Sequence, residues 1–130
     1  MSEKNLPNDF KYNKDYSWVK VQGEIATIGM IAPAAQKVKE FVFIMLPEKG
    51  KKLQKKENYV SLEAVKWSGH LSSPLSGEII EVNDSLYDEP TKINNDAYKN
   101  WIIKLKMSNP DETKELLSAD DIKEWVNEKL

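Results

Sequence analysis

The residue that invites a chemical question is a lysine. Lys66 stands between Val65 and Trp67 in "SLEAVKWSGHLSSPLSGEI", residues Ser61 to Ile79. Apolar neighbours usually mark a core, and an unpaired ammonium is costly to bury. Two placements reconcile these facts. The lysine either lays its stem over apolar surface and keeps its charge in water, or it stands exposed at a turn. Val60, Leu62 and Ala64 alternate before it, and Leu71 and Ser73 follow at alternate positions. That pattern predicts a β-hairpin with Lys66 near its turn. Gly50 and Gly77 fall at predicted turns that bracket the hairpin, and Glu63 precedes the lysine in "EAVK".

Other chemistry is sparse. The chain has no cysteine, hence no disulfide, thiolate metal site or cysteine nucleophile. Any sulfur or redox chemistry therefore needs an attached group. His70 is the single histidine, and no carboxylates stand at metal-ligand spacing from it. Asp120-Asp121 sits at a predicted helix start, where the dipole explains it. Neither GxGxxG nor GxxxxGK[ST] occurs, and no nucleophile elbow is present. The chain does not read as an enzyme.

Composition agrees. The 130 residues suit one domain, and a net charge of −2 steers neither nucleic acid nor a membrane. All 19 basic residues are lysine, so no guanidinium fork clamps phosphate. Four tryptophans and five tyrosines have no interleaved basic strip, which argues against base stacking. No apolar window reaches membrane length, and "MSEKNLPNDF", without a long apolar run or an arginine, is expected to be neither signal nor transit peptide. The expectation is a cytoplasmic protein.

These residues need elements to position them. Residues 1–11 read as a flexible, polar lead-in. "WVKVQ" and "IATI" read as strands around a Gly23-Glu24 turn, and "APAAQKVK" as a short helix with Pro33 in its first turn. "FVFIML", Phe41 to Leu46, reads as a strand buried on both faces. The five lysines between Lys49 and Lys56 read as a solvated hairpin loop or a basic contact patch. "EIIEV" and "WIIKLKM" are strands, and "SLYDEPTKINNDAYKN" between them a loop with at most one helical turn. Residues 110–129 carry two cap-like starts and read as C-terminal helices. "GEIATIG" and "GEIIEVN" echo one another and suggest a quasi-two-fold sheet pair.

Taken in order, "YSWVKV", "ATIGM", "AAQKV", "EFVFIMLPEKG", "EAVKW", "SPLSGEIIEVN", "EPTKIN", "NWIIKLK" and "ELLSADDIKEW" resemble the glycine cleavage system H protein family, over roughly residues 12 to 127. The resemblance implies a mainly β fold, a lipoyl-domain-like barrel-sandwich hybrid of two antiparallel sheets in one carrier domain over 1–130. It implies lipoic acid in an amide on Lys66 and Glu63 as the acid of the recognition segment, with Val65, Trp67 and His70 near the arm. A biotin carrier would also use a hairpin lysine, but that family sets methionine on both sides. The implied carrier is a monomer that serves other proteins. They are a lipoate ligase or lipoyl transferase, a glycine decarboxylase, an aminomethyltransferase and a dihydrolipoyl dehydrogenase.

Several positions depart from the family. Lys14 to Trp18 lacks the usual acid-His-Glu-Trp opening, Gly29 to Gln36 lacks an Asp-Tyr pair, Trp67 replaces an alanine, and Asp96 to Lys99 replaces "DPYG". "EAVKWSGHL" looks more like the lipoate-binding relatives of the sulfur-oxidising heterodisulfide-reductase-like system, whose arm carries sulfur species, than like a standard glycine-cleavage H protein. A reading of another class is an unmodified interaction domain on the same fold.

Overall fold

The computed structural model describes residues 6–129. Two antiparallel sheets face one another. The first has six strands, in the order β1 (Lys11–Tyr12), β2 (Ser17–Gln22), β3 (Ile25–Met30), β9 (Ile103–Met107), β8 (Gly77–Val82) and β5 (Lys52–Leu53). The second has three, β4 (Phe41–Met45), β6 (Asn58–Ala64) and β7 (Trp67–Ser72). Val19, Ile28, Ile79 and Leu105 from one sheet and Ile44, Leu62 and Leu71 from the other are buried in a single core. This is the two-sheet, mainly β architecture expected.

The echoing segments are β3 and β8, but they do not split between sheets. Both pair with β9 in the six-stranded sheet, so Ala26, Leu105 and Ile79 lie abreast and fully buried. The echo therefore reflects two strands meeting the same neighbour.

Four expectations need correction. "FVFIML" is not buried on both faces: β4 is an edge strand, with Val42 55% and Met45 60% exposed. A register irregularity between Phe41 and Phe43 turns Phe41 and Ile44 inward instead of alternate residues. The lysine run is not a free loop, because β5 within it hydrogen-bonds along β8. Two of its five lysines are paired, Lys51 with Glu57 at 3.4 Å and Lys55 with Glu115. The loop before β9 contains two helices, α2 (Ser85–Asp88) and α3 (Thr91–Asn95), which bury Leu86 and Ile93. The lead-in is ordered from residue 6 onward: Phe10 stacks on Trp18 at 4.7 Å, and the Tyr12 hydroxyl donates to the Pro7 carbonyl at 2.6 Å. Residues 1–5 lie outside the described part.

The remaining helices fall where expected. α1 (Ala32–Val38) has its proline in the first turn, which needs no N–H there. After a 3₁₀ turn at Pro110–Glu115 comes α4 (Ala119–Lys129), whose start is capped by Ser118 Oγ accepting from the Asp121 N–H at 3.2 Å. Among the described residues no helix is long and apolar enough to cross a membrane.

Candidate functional site

The β6–β7 pairing closes on Ala64 opposite Trp67, so Val65 and Lys66 alone form the turn. Neither has a positive φ. The turn is thus not one of the primed types that match strand twist, yet the pairing runs in register up to Ala64 and Trp67. Val65 is 81% exposed and Lys66 is also exposed, without an ion pair among the described residues. The lysine does not snorkel into the core. It stands at the tip, as the alternation predicts.

Side chains alternate along a strand. Leu71 is buried, so Trp67 and Gly69 share its inward-facing side, while Ser68 and His70 point outward. Trp67 is 36% exposed and meets Phe41 edge-on at 6.2 Å. Glu63 lies on the outer side between Phe43 and Ser68. Lys66, Val65, Trp67 and Glu63 thus gather around the tip, and they line one shallow depression there. The structure does not bring His70 to Trp67, because the two project from opposite faces of β7.

Beside the tip lies a cleft of about 480 Å³ between α1 and the hairpin. Met30, Ala34, Val38, Tyr16 and Trp67 form its apolar wall, and Lys66 lies on its margin. Lys37 and Lys39 complete the lining, and no carboxylate takes part among the described residues.

The cleft concentrates backbone strain. Among the described residues three non-glycine residues have positive φ, and two of them, Tyr16 at 65° and Lys39 at 70°, line it. Such conformations persist only where surroundings enforce them. Around Tyr16, the Asn13 Oδ1 accepts from the N–H groups of Asp15 and Ser17, both at 3.0 Å. The Tyr16 carbonyl accepts from the Ile31 N–H at 2.9 Å, and its ring meets Trp125 at 5.0 Å. Burial raises the Tyr16 hydroxyl above the ordinary tyrosine range. Lys39 is fixed by Asn94, whose Nδ2 donates to the carbonyls of Lys39 and Ala35 and whose Oδ1 accepts from the Phe41 N–H at 2.9 Å.

Sequence reasoning missed Tyr16, Lys39 and the α1 residues of this cleft. The i, i+3, i+4 spacing of Ala34, Lys37 and Val38 was the available signal for the helix face. A positive φ at tyrosine or lysine leaves no compositional trace.

The family model for the glycine cleavage H-protein matches residues 10–129. A glycine cleavage system H protein of Staphylococcus epidermidis is 39% identical over 124 residues, covering 95% of this chain and 98% of the relative. One from Halalkalibacterium halodurans is 39% identical over 125 residues, with the same coverage. The crystal structure of a glycine cleavage system H protein from Mycobacterium marinum superposes with a TM-score of 0.80 at 28% identity, covering 89% of this chain and 94% of that one. None of these similarities supports the sulfur-oxidation assignment that the segment around Trp67 suggested.

Proposed function

This chain belongs to the glycine cleavage H-protein family, whose members are non-catalytic lipoyl carriers of the glycine cleavage system, and from that premise we propose that Lys66 bears the lipoyl group. The observation that supports this is the placement of Lys66. Its amine is exposed on a two-residue turn, free of ion pairs among the described residues, and on the margin of an apolar cleft. Both features fit a long acyl group, one for attachment and one for contact with its chain.

Acylation converts the ammonium into a neutral amide, so the tip loses its charge. Val65 and Trp67 then adjoin an apolar chain instead of a cation. Glu63, on the outer face just before the turn, is the acid a lipoylating enzyme reads. When bound, the group supplies a redox-active disulfide that carries chemistry between partner active sites, and this chain supplies none of its own. The hairpin's contribution is a stiff base that holds the tether at high effective concentration near docked partners. Those partners are the decarboxylase, the aminomethyltransferase and the dihydrolipoyl dehydrogenase of the same system, in the cytoplasm.

Intact mass tests the assignment. Co-expression with a lipoate ligase adds one lipoyl mass, and Lys66→Arg abolishes the addition. An unchanged mass in the parent chain would sink it and leave an unmodified interaction domain.

A further inference from the structure

We propose that the free edge of β7 is a docking strip for the enzyme that acylates Lys66, which adds a short extended segment of its own backbone there as a further strand. The inference rests on Lys66 as the attachment point.

β7 is the outer strand of the three-stranded sheet and pairs on one side only, with β6. Which of its backbone groups face outward follows from its far end. The Ser73 N–H donates to the Glu57 carbonyl at 2.7 Å, and the Ser73 carbonyl accepts from the Lys56 N–H at 2.8 Å, so Ser73 faces the β6 side. Ser72 faces the other way. Its N–H donates to Asp15 Oδ2, and its carbonyl accepts from Asn13 Nδ2 at 3.3 Å. Backbone groups alternate in direction along an antiparallel strand. Ser68 and His70 therefore turn their N–H and C=O groups away from β6, and both residues are exposed. Among the described residues no other element hydrogen-bonds to these groups. The Asn13–Asp15 loop does at Ser72 what a neighbouring strand would do, and its cover ends there. Trp67 to His70 holds no proline and no lysine, the residues that usually blunt a sheet edge.

The same loop argues against a second copy as the occupant. In a symmetric antiparallel pairing through Ser68 and His70, Ser72 of one copy falls opposite Lys66 of the other. Each Asn13–Asp15 loop would then meet a hairpin tip. A foreign strand carries no such loop. The acylating enzyme also has a use for this edge that the arm-using enzymes lack. It must hold the Lys66 amine itself roughly 3–3.5 Å from the acyl carbon, whereas an attached arm reaches its sites by its own flexibility. Ser68 stands two residues from Lys66. A strand bonded at Ser68 and His70 thus fixes the register of the turn against the enzyme.

Hydrogen exchange of single amides, read by NMR saturation transfer from water, tests this on the unlipoylated chain. In the free chain Ser68 and His70 should exchange fast, and Gly69 and Leu71, whose N–H groups face β6, slowly. Adding lipoate ligase, with lipoate and ATP withheld, should slow Ser68 and His70 about tenfold. A second arm uses His70→Pro, which removes an N–H that β6 does not use, a position where an edge strand accepts proline. Its kcat/KM for lipoylation should fall about tenfold below that of His70→Ala, the upper scale of one hydrogen bond. His70→Ala keeps the N–H and so subtracts the part played by the imidazole. Unchanged exchange at Ser68 and His70 on adding the ligase would overturn the inference, as would equal rates for the proline and alanine variants. Slow exchange of both amides in the free chain, deepening with its own concentration, would overturn it in favour of self-association. If His70→Pro does not fold, the exchange measurement on the parent chain decides. A parent chain that gains no lipoyl mass is a separate failure, that of the attachment itself, and mass spectrometry reads it.

Discussion

The indole of Trp67 lies over the α-carbon of Gly69, so closely that a Cβ there would come 2.6 Å from the ring. The same relationship recurs between Trp18 and Gly29 at 2.7 Å, across the β2–β3 pair. The two contacts look alike and differ in what the tryptophan can do next. Trp67 is 36% exposed and can rotate outward. Gly69→Ala is expected to release it from the cleft wall, cost under about 1 kcal/mol and red-shift its emission. Urea denaturation and fluorescence against a Trp67→Phe control check both parts. A large stability loss with unshifted emission would show that Trp67 is fixed.

Trp18 has no such freedom. It is buried beneath Phe10, and its Nε1 donates to the Ala97 carbonyl at 3.2 Å. Gly29→Ala should therefore cost about 3 kcal/mol, the upper range for overpacking a closed core. Urea midpoints for the two alanine variants, measured side by side, should differ clearly. Equal midpoints would contradict the contrast.

These pairs also show what the sequence could convey. The hairpin and Lys66 were legible because alternation of Val60, Leu62 and Ala64 is a direct signature of a strand with one buried face. The family's ordered motifs conveyed the two-sheet fold. The edge position of β4 was hidden, because a run of apolar residues looks the same whether a bulge exposes Val42 and Met45 or a second layer covers them. The cleft was hidden for a different reason. Its wall joins Tyr16, Ala34 and Trp67 from distant segments, and two of its residues adopt positive φ that no residue type announces.

Buried tyrosines give the fold an alkaline limit. Burial pushes Tyr98 up to about 12, and raises Tyr12 and Tyr59 further above the ordinary tyrosine range. The folded state thus keeps protons that the unfolded chain releases near pH 10. Stability is then fully present below about pH 10 and falls as pH rises toward the folded values. Urea midpoints should be flat with respect to these groups from pH 8 to about 10 and drop steeply above. Tyr59→Phe strands Ser17 Oγ, its partner at 2.8 Å, and should cost about 1–2 kcal/mol at pH 7 while flattening the alkaline slope. A slope unchanged in that variant would remove Tyr59 from the account.

The Asn94–Lys39 tether separates strain from support. Lys39→Gly relieves a conformation glycine adopts freely and should raise stability by about 1 kcal/mol, whereas lysine retains it only under constraint. Asn94→Ala removes the constraint instead, losing the bonds to Ala35, Lys39 and Phe41, and should cost about 2 kcal/mol. The two changes act on one loop, so they should not add. In the Lys39→Gly background, the loss on Asn94→Ala should shrink, because glycine no longer needs to be held in place. A double-mutant cycle in urea measures the coupling. Strict additivity would mean that Asn94 fastens α1 to β4 without holding Lys39 in its strained geometry, and the positioning role assigned to it at the cleft would fall.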